Sequence, residues 1–222
     1  MRLGIWGALG ATLLDVLAPR RCVVCEALEP QPNGYCTECN EPEPLLDVAL
    51  HIDGVPVFAG TRYAEPVATI IQRFKYRDAP ELCGALASLS LRGIDLLGIE
   101  PEHVWVPVPL HPLRLAERGY NQAALLAREL ARAARGSVDA RRLERVRNTE
   151  QQAKRNRKGR AENIASAFRA RESRANRARN AVVLVDDVVT TGATLGACIR
   201  ALRAAGDEVV GCVAVAYTDQ RR

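Results

Sequence analysis

The residues with the sharpest chemical content are four cysteines and one short acidic run. Cys22 and Cys25, then Cys36 and Cys39, form two Cys-x-x-Cys pairs with ten residues between them. Each pair turns two thiolates toward one point, and two such turns complete a tetrahedral sulfur shell for Zn(II). Pro30, Pro32 and Gly34 suit the hairpin that joins them. Two disulfides would use the same residues, but a reducing compartment keeps thiols free, so zinc is the expectation. Four sulfur ligands leave no open position, which makes that metal structural. Cys83, Cys198 and Cys212 sit in apolar surroundings and read as core residues.

The acidic run is Ala181-Val-Val-Leu-Val-Asp186-Asp187-Val-Val-Thr190-Thr191-Gly192-Ala193-Thr194. Four apolar residues make a buried strand, two carboxylates stand at its C-terminal edge, and a small hydroxyl-rich loop opens a helix. Ligands of open α/β sheets bind beyond the carboxyl ends of the strands. Backbone N–H groups at a helix start cradle phosphate. The aspartates beside that cradle suit hydroxyl groups or a cation, as a ribose 5′-phosphate would present. Gly192 leaves room for the backbone to approach, so a larger side chain there should exclude the ligand with little loss of stability. Turn and cap formation account for many such junctions, yet two acids and five consecutive small or hydroxyl positions, 190–194, exceed what a cap needs.

Those groups need a scaffold. Strand patterns at 55–63, 104–108, 138–145, 182–185 and 209–217 alternate with helical patterns at 66–76, 80–97, 121–134 and 193–205. That alternation predicts an α/β fold with a mainly parallel sheet. Residues 1–19 read as a helix, and 20–44 as a zinc ribbon ending in Glu-Pro-Glu-Pro. The 222 residues, 48% hydrophobic and 26% charged, make one full domain plus this small module. The apolar stretch Leu3–Leu14 is too short to span a bilayer and makes a poor export signal. A cytoplasmic protein without membrane contact is expected. Net charge is +5, but residues 141–179 hold 14 Lys/Arg against four Asp/Glu. That asymmetry points to a polyanionic ligand, or else to a solvated arginine-rich face.

Over thirteen residues the acidic run resembles the phosphoribosyl-pyrophosphate (PRPP) signature of the type I phosphoribosyltransferases. The resemblance implies a parallel sheet of about five strands flanked by helices. It casts Asp186 and Asp187 as catalytic carboxylates on the ribose 2′- and 3′-hydroxyls. Thr190, Thr191, Gly192, Ala193 and Thr194 would hold the 5′-phosphate. Val106-Pro-Val-Pro-Leu-His-Pro with Arg118-Gly-Tyr-Asn-Gln122 is similar to the ComF/GntX (ComFC-like) family. So are Arg147-x-Thr149-x-x-Gln152, Arg160-x-x-Asn163, Ala167-Phe168 and the four-cysteine module. Phe74-Lys75-Tyr76 is a weaker match, and Arg155 departs from a family leucine.

By the same resemblance, Leu110 and His111, with Arg114 and Arg118, would bind pyrophosphate. The bland alternative makes His111 a loop residue and the arginines solvated. The domain would run over 45–222, with an acceptor hood about 45–76 and a mobile basic loop about 147–163. That loop carries Thr149, Gln152, Lys154, Arg155, Arg160 and Asn163; its composition suits a lid over a polyanion or a grip on nucleic acid. Mg(II) chelated by PRPP would neutralise the leaving pyrophosphate, and catalysis would rest on positioning and charge. The family further implies competence and DNA uptake, single-stranded DNA, and a competence-machinery protein as partner. The rival reading is a non-enzymatic PRPP- or nucleotide-binding accessory protein that contacts single-stranded DNA or a partner through its ribbon and basic loop.

Overall fold

The computed structural model describes residues 20–28, 30–48, 50–147, 166–171 and 181–218. The expected helix at 1–19 and residues 148–163 of the basic loop lie outside them. Strands β1 (Leu50–Ile52) and β2 (Val55–Arg62) are followed by helix α1 (Val67–Tyr76). A 3-10 turn (Pro80–Leu82), α2 (Cys83–Ser88) and α3 (Arg92–Leu96) lead to β3 (Val104–Pro107). Then come α4 (Pro112–Arg118), α5 (Gln122–Ala133), β4 (Ser137–Val138) and β5 (Leu143–Arg145). The chain continues through β6 (Phe168–Ala170), β7 (Ala181–Val189), α6 (Ala193–Ala204) and β8 (Glu208–Tyr217).

Among the described residues six strands form one sheet in the order β1-β2-β8-β7-β3-β4, parallel throughout except that β1 runs antiparallel to β2. β5 and β6 form a separate antiparallel pair. The sheet is buried on both faces, and strand periodicity sorts neighbours between two cores. Trp105, Val183, Val185, Val213 and Val215 pack with Ile70, Phe74, Leu86, Leu126 and Leu130 on one face. Val106, Val182, Leu184, Cys212 and Ala214 pack with Leu195, Cys198, Ile199 and Leu202 on the other. Cys83, Cys198 and Cys212 are buried as expected.

Several boundaries depart from the sequence reading. Among the described residues the parallel part of the sheet has the expected five strands, and the short antiparallel β1 adds a sixth at its edge. Pairing with β8 carries β7 four residues past Val185, to Val189, so both aspartates lie inside the strand. The pattern at 80–97 breaks into a 3-10 turn and two short helices. There Ser90 is buried and its hydroxyl donates to the Ala214 carbonyl at 2.9 Å. The single strand read at 138–145 is β4 and β5, in different sheets. Residues 50–62, read as part of a hood, supply β1 and β2. Their two-residue Asp53-Gly54 turn has φ of 49° and 78°, the geometry of a tight hairpin. Arg200 pairs with the Asp53 carboxylate at 2.7 Å and ties that hairpin to α6.

Candidate functional site

The four ribbon cysteines converge. One sulfur from each of Cys22, Cys25, Cys36 and Cys39 lies within 4.8 Å of every other. A tetrahedron of ligands about 2.3 Å from zinc sets neighbouring sulfurs about 3.8 Å apart, and Cys25 Sγ stands 3.7 Å from Cys36 Sγ. Both knuckles have the same local build. The residue after each pair, Glu26 or Asn40, has positive φ and donates its N–H back to the carbonyl of Cys22 or Cys36. Cys36 also donates its N–H to Cys22 Sγ at 3.4 Å. A thiophilic metal fits this donor set.

The second site is a cleft at the C-terminal ends of β3 and β7. Its lining includes Asp186, Asp187, Thr194, Leu110, Arg114, Arg118 and Asn121. Lys75 from α1 and Arg145 from β5 also enter it. Consecutive strand residues leave on opposite faces, so Asp187 shares the face of Val183 and Val185. There Lys75 Nζ meets its Oδ1 at 2.9 Å. Burial works against the Lys75 charge, but Asp187 and then Asp186 outweigh it and hold the ammonium above its usual range. Asp186 Oδ1 accepts the N–H of Asp187 at 2.9 Å. Burial, and next the Asp187 charge, push Asp186 up to about 7.

Arg118 is held in place by its surroundings. It donates to Gln122 Oε1 at 3.1 Å and to the Tyr76 hydroxyl at 3.2 Å. Its buried Nε has no partner among the described residues, which leaves a donor at the cleft wall. Tyr120 donates to the Phe74 carbonyl at 2.5 Å and Gln122 to the same oxygen at 3.4 Å. Asn121 donates to the Val108 carbonyl at 3.1 Å. The run 118–122 therefore fixes both the end of α1 and the loop after β3.

The small-residue loop lies between β7 and α6. Gly192 caps α6 with φ 75°, and a Cβ there would stand 2.5 Å from Ile52 Cδ1. Gly192 is thus demanded by the fold itself, which corrects the expectation that enlarging it would spare stability. Thr191 Oγ1 accepts the Ala193 N–H at 3.3 Å. Thr190 and Thr191 are exposed, while Ala193 and Thr194 are partly so. His111 caps α4 through Nδ1, which accepts from the Leu113 N–H at 3.4 Å.

The structure gathers Leu110, Arg114, Arg118, Asp186, Asp187 and Thr194 around one cleft. His111 and residues 190–193 stand at the starts of the adjoining helices, outside the cleft lining. Thr149, Gln152, Lys154, Arg155, Arg160 and Asn163 fall outside the described residues. Sequence reasoning passed over Lys75 and Arg145 as cleft residues. Lys75 carried a signal, being one of only three lysines beside 28 arginines. Arg145 carried none, because only the long-range pairing of β5 with β6 brings it there.

The Phosphoribosyl transferase domain family matches residues 115–222. The chain is 34% identical to Competence protein F of Haemophilus influenzae, over 79% of this chain and 75% of that one. It is 29% identical to the DNA utilization protein YhgH of Escherichia coli K12, over 88% and 83% of the two chains. Against Competence protein ComFC of Bacillus subtilis identity is 33%, over 63% and 55%.

Proposed function

Since this chain belongs to the family of Competence protein F, with a phosphoribosyl transferase domain behind a four-cysteine module, we propose that it binds PRPP in the cleft and transfers the phosphoribosyl group to a nucleophile. The observation that carries this reading is the convergence of two aspartates and four cations, Lys75, Arg114, Arg118 and Arg145, on one cleft. In this reading the N–H groups of Thr190 to Thr194 hold the 5′-phosphate, helped by the positive end of α6. Asp186 and Asp187 accept from the ribose 2′- and 3′-hydroxyls. Leu110, His111, Arg114 and Arg118 hold the pyrophosphate, with Lys75 and Arg145 adding charge nearby. Guanidinium forks match phosphate oxygens, which suits the arginines to this task. Mg(II) arriving with PRPP supplies neutralisation of the leaving group. Positioning and charge then stabilise the oxocarbenium-like state at C1 without a covalent residue. Zn(II) in the cysteine shell is the structural metal.

Calorimetry with PRPP and Mg(II) tests the reading. Asp186→Asn and Asp187→Asn should each weaken binding by roughly 10- to 150-fold, since hydrogen bonds to charged groups contribute about 1.5–3 kcal/mol. Wild-type protein that takes up no PRPP overturns it. PRPP binding without pyrophosphate release for any acceptor would instead favour the non-enzymatic accessory role. The names of the relatives speak of competence and DNA utilization, which supports a role in DNA uptake; a cytoplasmic location and a competence-machinery protein as partner belong to this proposal. The basic segment 141–179 favours single-stranded DNA as a further partner.

A further inference from the structure

Among the polar side chains of the cleft, one amide oxygen has no assigned use. Lys75, Arg114, Arg118 and Arg145 offer donors only, and the two aspartates are assigned to the ribose. Gln122 is engaged at both ends, by Arg118 and by the Phe74 carbonyl. Asn121 lines the same cleft, and its Oδ1 is shielded from solvent with no partner among the described residues. Resting on the PRPP reading above, we propose that Asn121 is a specificity-determining residue. Its Oδ1 accepts from a water carried by the Mg(II) on PRPP, so that the cleft selects the metal chelate over the bare anion.

The local structure explains why this oxygen is spare. Asn121 is the N-cap of α5, with φ −96° and ψ 114°, where an asparagine oxygen ordinarily accepts an N–H of the first helical turn. That bond is not made. Instead Nδ2 donates to the Val108 carbonyl at 3.1 Å, and the Val108 N–H donates to the Val185 carbonyl at 2.9 Å. Val185 directly precedes Asp186, so the amide is braced against the strand that carries both carboxylates. The brace fixes which end of the amide is the donor and leaves the acceptor unpaired. A buried acceptor in that state is costly unless a ligand brings a donor to it.

A second unpaired group completes the pattern. Arg118 Nε, three residues earlier, is also buried without a partner among the described residues. A ligand that satisfies both must accept at Arg118 and donate at Asn121. Ionised pyrophosphate has acceptors alone, so it can meet Arg118 while its oxygens repel the amide carbonyl. Mg(II) keeps several of its waters when phosphates bind it, and the charge of the ion makes their O–H groups strong donors. The chelate therefore meets both groups, and the bare anion meets one. Discrimination of this kind rests on the penalty against the wrong form as much as on the bond to the right one.

PRPP and inorganic pyrophosphate are each titrated by calorimetry into wild type, Asn121→Ala and Asn121→Asp, once with excess Mg(II) and once with EDTA. The quantity read is the affinity with metal divided by the affinity without it. Both substitutions lose the bond to Val108, so damage to the loop lowers the two affinities together and cancels in the ratio. Only Asn121→Ala loses the acceptor. Its ratio should fall about threefold or more below wild type for both probes, while the Asn121→Asp ratio should equal or exceed wild type. An unchanged ratio in Asn121→Ala overturns the proposal, as does an equal fall in Asn121→Asp. A fall seen with PRPP but not with pyrophosphate assigns Asn121 to the ribose and overturns it as well. Wild type that binds neither probe overturns the PRPP reading and this inference with it.

Discussion

Asp186 is buried inside β7 beside the Asp187 charge, and both effects resist its ionisation. Its folded value of about 7 lies above the unfolded carboxylate value near 3.9. Between those values the folded state holds a proton that the unfolded state has lost. The stability this group contributes therefore falls as pH rises from about 4 to 7, then levels off. A ligand that needs the ionised carboxylate must displace that proton. PRPP–Mg(II) binding near pH 6.5 should accordingly release protons, seen as heats that vary with buffer ionisation enthalpy, and near pH 9 the variation should vanish. Identical heats in all buffers near pH 6.5 would contradict the assignment. At Gly192, substitution by Ala meets both the left-handed backbone and Ile52, and the backbone alone should cost on the order of 1–2 kcal/mol, measurable by urea denaturation. The need for glycine was legible in the sequence, but its reason was not, because Ile52 is brought beneath it by a distant hairpin.

At the scale of elements, α1 gathers several duties into three consecutive residues. Arg73 clamps the backbone between Cys22 and Cys25, Phe74 is buried in the core, and Lys75 holds Asp187. Removing metal from the knuckles should therefore do more than lower the melting temperature, as coupled folding and binding already require. It should also weaken PRPP binding severalfold, and Arg73→Ala should do the same with zinc retained. Elemental analysis should give one zinc per chain, lost in Cys36→Ser. A chelated protein that binds PRPP as well as the holoprotein would rule out this linkage. The β5–β6 pair is anchored differently. Arg142 Nη2 and Nε meet Asp207 Oδ2 at 2.7 Å with both side chains 3% exposed. Asp207→Ala leaves a buried unpaired charge and should cost about 3–5 kcal/mol in chemical denaturation. Element types along 104–107, 121–134 and 181–217 were readable because buried strands and amphipathic helices have distinct periods, whereas α4 at 112–118 has no buried residue and carried no such period. The extension of β7 and the break at 80–97 were not, since pairing with β8 and the Ser90–Ala214 bond override local propensity.

For the whole molecule, the mainly parallel sheet was visible in the alternation of strand and helix patterns, and the unbroken apolar run 182–185 suits a strand covered on both faces. The membership of β1 and β2 was hidden, because their partner β8 is about 150 residues away along the chain. Charge is divided just as unevenly, with the surplus of ten positive charges confined to residues 141–179. Binding to single-stranded DNA should be weak, tolerant of sequence and steeply salt-dependent. A slope of about −0.7 per neutralised phosphate is expected on logarithmic axes. Charge reversal at Arg155, Arg157 and Lys158 should flatten it in fluorescence anisotropy. Binding that ignores both salt and reversal would remove DNA from the account.

The position of β8 carries a consequence for how the chain is made. It is the last strand in chain order, yet it lies between β2 and β7. A chain growing from the ribosome can assemble its cysteine knuckles early, but β2 has no parallel neighbour until residues 208–217 emerge. Ribosome-bound chains stalled before that point should keep the first hairpin open to protease, and release of β8 should close the sheet in one late step.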